Sequence, residues 1–62
     1  MDKFEVIYKL IESLIGQREG LLGQLGEVDF GKMHGLTQKI EYDMQINKID
    51  ARIDALLAKL TD

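Results

Sequence analysis

"GEVDFGKMHG", residues 26–35, decides the fold, because the same ten letters satisfy two enzyme signatures and also read as a turn between helices. Gly26, Gly31 and Lys32 stand at the spacing of a phosphate-binding loop, and Asp29-Phe30-Gly31 spells the metal-binding triplet of protein kinases. A phosphate loop needs a strand before it and a Ser or Thr after its lysine to hold magnesium. Here Met33 follows the lysine and a helical pattern precedes the loop. The kinase triplet works only with partner motifs spread over a far larger fold than 62 residues. As a turn the stretch is self-consistent. Gly26 ends a helix by accepting a left-handed backbone, Asp29 caps the next one, and Lys32 is solvated.

Upstream, Phe4, Ile7, Ile11, Leu14, Leu21 and Leu25 recur at steps of three and four, interrupted only at Arg18, and Tyr8, Ile15 and Leu22 widen the row. That period is helical. Asp2 with Glu5 three residues on resembles a capping box, so the first helix is expected over about residues 3–25. Gly16, Gly20 and Gly23 share the opposite face with Ser13 and together cost roughly 3 kcal/mol of helix propensity. They admit either a smooth groove for another helix or a break near Gly16 or Gly20. The unbroken phase of the apolar row favours a continuous helix.

Downstream, Met33, Leu36, Ile40 and Met44 carry a helical row back through the turn, which favours a start near residue 30, capped by Asp29, over a start at Thr37. A second and stronger row, Tyr42, Ile46, Ile49, Ile53, Leu56 and Leu60, lies nearly opposite at ~100° per residue. The second helix, about 30–60, is therefore two-sided. One chain supplies a single neighbour for two apolar faces, so the expected architecture is an all-α antiparallel hairpin, residues 1–62 as one domain. Such hairpins pair into a four-helix-bundle homodimer. Either row could be the one that meets the first helix.

The chain carries no cysteine and one histidine, so neither disulfides nor a Cys/His zinc site can staple so small a core. Charged residues interrupt the apolar start, and no run approaches the ~20 residues of a membrane span. A cytoplasmic, membrane-free setting is the expectation. No nucleophile–base pair is present, which points to a non-enzymatic protein without cofactor or metal.

Four groups of residues remain as candidates. Phe30, Lys32, Met33 and His34 at the turn offer apolar and cationic contacts to a partner protein. Arg18, at the centre of the first helix's apolar row, either snorkels to water, pairs with Asp43, Asp50 or Asp54, or forms an anion site. Asp43, Asn47, Asp50 and Asp54 line one side of the second helix and read as a solvated face or as partners for Arg18. Lys48, Arg52 and Lys59 form a basic row that a twofold axis would double into a nucleic-acid contact, although a net charge of −3 opposes it. The leading expectation is a homodimeric interaction module that binds and modulates a larger protein, in the manner of a phage or mobile-element regulator or inhibitor. Nucleic-acid binding through the basic row and small-anion or nucleotide binding at Lys32 or Arg18 are the alternatives.

Overall fold

The computed structural model describes residues 2–61, which form two helices packed against each other as a hairpin. They are α1 (Lys3–Leu25) and α2 (Met33–Thr61). Asp2 caps α1: its Oδ1 accepts from the Phe4 backbone N–H at 3.1 Å, satisfying one of the donors a helix start leaves unpaired. The expected capping box is only half formed, because Glu5 turns forward to Lys9 at 3.7 Å. α1 runs without a break through Gly16, Gly20 and Gly23.

The end of α1 corrects one expectation. Gly26 is not left-handed; its φ and ψ are −64° and −18°, and no glycine among the described residues has a positive φ. The chain leaves the helix through tightened turns, with Glu27 N–H donating to Gln24 O and Val28 N–H to Leu25 O. Bonds of this i→i+3 kind satisfy terminal carbonyls without requiring left-handed backbone.

The start of α2 corrects a second expectation. The helix begins at Met33, not near residue 30 and not at Thr37. Asp29 does not cap it: its Oδ1 accepts from Gly31 N–H at 2.9 Å and its carbonyl from Lys32 N–H at 3.4 Å, so both acceptors are used to fold the turn. Phe30 and Lys32 therefore lie in the loop. Thr37 sits inside the helix, its hydroxyl donating back to Met33 O at 3.2 Å.

Gly35 is buried where the loop crosses the first turn of α2. A Cβ there would overlap the Asp29 carbonyl, lying 2.6 Å from its carbon and 3.4 Å from Phe30 N. Loop and helix meet backbone to backbone, a contact open only to glycine.

The core is thin. Ile7, Ile11 and Ile46 are the buried apolar side chains among the described residues. Leu14, Leu21 and Leu25 of α1 are half-buried, as are Tyr42, Ile49, Ile53, Leu56 and Leu60 of α2. The row through Ile46 is thus the one that meets α1. The opposite row is left outside, with Leu36, Ile40 and Met44 46%, 61% and 55% exposed.

The helices are also staggered. Arg18 contacts Asp50; seven residues separate Arg18 from the end of α1, and seventeen separate Asp50 from the start of α2. At 1.5 Å per residue α2 runs roughly 15 Å past α1 at the turn end. There the loop 26–32 meets it, backbone to backbone at Gly35. The molecule measures 47 × 16 × 11 Å. No helix among the described residues is long and apolar enough to cross a membrane.

Candidate functional site

The turn forms one exposed end of the hairpin. Phe30 and Met33 are exposed, Met33 by 80%, and Lys32 and His34 are exposed beside them. Lys32 reaches Asp29 at 3.9 Å, a loose pair with both side chains in solvent. The loop between two helices offers none of the strand-and-sheet scaffold that a phosphate loop requires.

Met33 is also the first member of the uncovered row of α2. Leu36, Ile40, Met44, Asn47, Ala51 and Ala58 continue it, and none of them is charged. Its leading members Met33, Leu36, Ile40 and Met44 are all exposed.

Arg18 pairs with Asp50. Its Nε donates to Asp50 Oδ1 at 2.8 Å, with the two side chains 39% and 43% exposed. The pair bridges the helices at the edge of the core and is not buried. At that exposure it contributes about 0.2–1 kcal/mol, so its main effect is on register. Asp43 is held by Lys39 of its own helix at 2.6 Å. Two of the row's three aspartates thus face cations, and no group of three or more His, Cys, Asp or Glu that could hold a metal gathers among the described residues.

Unlike Lys39, the one other Lys or Arg of α2, Lys48, Arg52 and Lys59 have no carboxylate within ion-pair distance among the described residues. Lys48 and Arg52 stand beside a feature the sequence did not suggest. Three contiguous depressions of about 400, 470 and 300 Å3 form a shallow groove between α1 and α2. Its apolar floor is Leu14, Leu21, Ile49 and Leu56; its polar walls include Gln17, Gln24 and Gln45, and no carboxylate lines it. The groove was hidden because it belongs to two helices in a particular stagger. A trace was present: every Glu of α1 lies on the helix's other side, leaving Lys3, Gln17 and Gln24 on this one.

No family model matches the chain, and no curated protein or solved structure matches it either.

Proposed function

We propose that this protein is a non-enzymatic interaction module: a helical hairpin that pairs with a second copy through the outer row of α2 and binds a larger protein with the surfaces left over. The supporting observation is an excess of surface. A compact monomer of 7.1 kDa is expected to expose about 4,100 Å2. This chain exposes 4768 Å2. The difference is close to the ~800 Å2 that one partner contributes to a standard interface. Its radius of gyration, 14.7 Å, likewise exceeds the roughly 10.6 Å of a compact chain this long.

The Met33–Leu36–Ile40–Met44 row is where a second copy fits best, since it is apolar and free of like charges that a twofold axis would oppose. Because that row lies nearly opposite the one that meets α1, two hairpins joined there set their four helices side by side with α2 against α2, a flatter arrangement than the four-helix bundle expected from the sequence. Phe30, Lys32, Met33 and His34 at the exposed tip remain the first contacts offered to a larger protein, and a regulator or inhibitor would act by occupying that protein's surface. Sedimentation at micromolar concentration tests the pairing: twice the 7.1 kDa chain mass is expected, falling to one chain mass in Ile40→Asp. A folded monomer in the unsubstituted protein overturns it.

A second reading draws on the cations that have no ion-pair partner among the described residues. Lys48, Arg52 and Lys59, doubled across a dimer, would hold a phosphate backbone in a salt-dependent manner. No aromatic residue is interleaved with them to stack on bases, which makes it the weaker reading. Replacing all three by alanine should abolish a salt-sensitive RNA or DNA complex; an undiminished complex excludes this row.

A further inference from the structure

We infer that the groove between α1 and α2 is a docking site for an acidic amphipathic helix of the partner protein. This rests on reading the chain as a protein-binding module, and it names the surface and the chemistry of what binds.

The dimensions suit a helix. From Leu10 to Gln24 the groove follows α1 for about 21 Å, the length of four helical turns. Its floor of Leu14, Leu21, Ile49 and Leu56 presents an apolar strip to side chains spaced three and four apart, the arrangement by which helices bind grooves. Glutamines on both walls supply donors and acceptors to the polar flanks of such a helix.

Charge selects the occupant. Among the described residues, Lys48 and Arg52 border the groove without carboxylate partners, and no Asp or Glu lines it. By helical phase Lys59 lies on the same side of α2. A basic helix would meet repulsion from these cations, whereas Glu or Asp beside an apolar row would meet two cations without a carboxylate partner among the described residues. A second copy of this chain is disfavoured, because a twofold axis at the groove would set Lys48 and Arg52 against their equivalents. Nucleic acid would need a denser set of cations and makes no use of an apolar floor.

A display library of helical peptides about 18 residues long, randomised in sequence and panned against the full chain, tests the assignment. Enriched peptides are expected to carry Leu, Ile or Met three and four apart with a net negative flank. They should lose roughly tenfold or more in affinity for Lys48→Glu/Arg52→Glu, whose substitutions are on exposed positions and whose helix content is checked by circular dichroism. Amide shifts on binding should centre on Ser13, Gln17 and Ala55. The proposal is overturned by net-basic winners, by no enrichment, by winners that bind the double variant equally well, or by a DNA or RNA duplex that displaces them at the same salt. Sedimentation of the same samples separates this from the pairing itself. A dimer without enrichment defeats the groove alone, enrichment on a monomer defeats the dimer alone, and a double variant that becomes monomeric makes the groove a self-interface instead.

Discussion

Gly35 is the residue on which the turn closes. In the sequence it stands in the first turn of a helix, where glycine costs about 1 kcal/mol against alanine. The structure shows what offsets that cost: the Asp29 carbonyl occupies the space a Cβ would need. Gly35→Ala is expected to lower stability by roughly 1–3 kcal/mol despite its better helix propensity, because backbone must move to admit the methyl. Urea denaturation at fixed protein concentration reads this directly, and an unchanged or raised midpoint would show that the loop does not bear on the helix. The reason for Gly35 was not legible beforehand, since it depends on the path of the chain six residues earlier. Arg18 was more legible. Its place on an apolar row left snorkelling to water, a carboxylate pair or an anion site open, and the structure shows the pair, with Asp50 out of three candidates. A double-mutant cycle on Arg18 and Asp50 should return a coupling below about 1 kcal/mol that shrinks as salt is raised. A coupling of several kcal/mol would mean that the pair is shielded from water, for instance by a partner chain.

At the scale of helices, three glycines in α1 carry the sharpest question. A Cβ added at Gly16, Gly20 or Gly23 meets nothing within 4 Å. In an isolated hairpin the triple alanine variant should therefore gain stability, about 1 kcal/mol for each position. Thermal melts in dilute solution check this. Should the variant instead melt lower and lose self-association, that face of α1 is covered by another helix and not solvated. The course of both helices was readable because apolar residues hold phase over many turns, and phase survives isolated exceptions such as Arg18. The start of α2 was misplaced for a physical reason: Asp29 serves equally as a helix cap and as the acceptor of a local turn, and only the crossing of loop over helix chooses between them. Which row of α2 faces α1 also waited for the structure. Both rows have helical spacing, and the better-filled one, with four branched aliphatic side chains beyond Tyr42 and Ile46, is the one turned inward.

A core that holds three buried isoleucines among the described residues supports little independent stability for the molecule, each contributing roughly 1.5–3 kcal/mol before chain entropy is set against it. If pairing supplies the remainder, the melting temperature must rise with protein concentration, since mass action couples association to folding. A melting temperature constant over a hundredfold dilution series would indicate that the hairpin stands alone. The stagger of the helices adds a dynamic consequence. Over its first ten residues α2 leans on a loop and not on a helix, so its backbone hydrogen bonds there should open by local fraying well below the energy of global unfolding. Hydrogen–deuterium exchange should accordingly be graded along α2, fast from Met33 to about Tyr42 and slow from Ile46 onward. The tip would then act as a built-in reporter: a protein that grips Phe30 and Met33 would slow exchange in the leading turns of α2 while leaving the already protected middle of the helix unchanged.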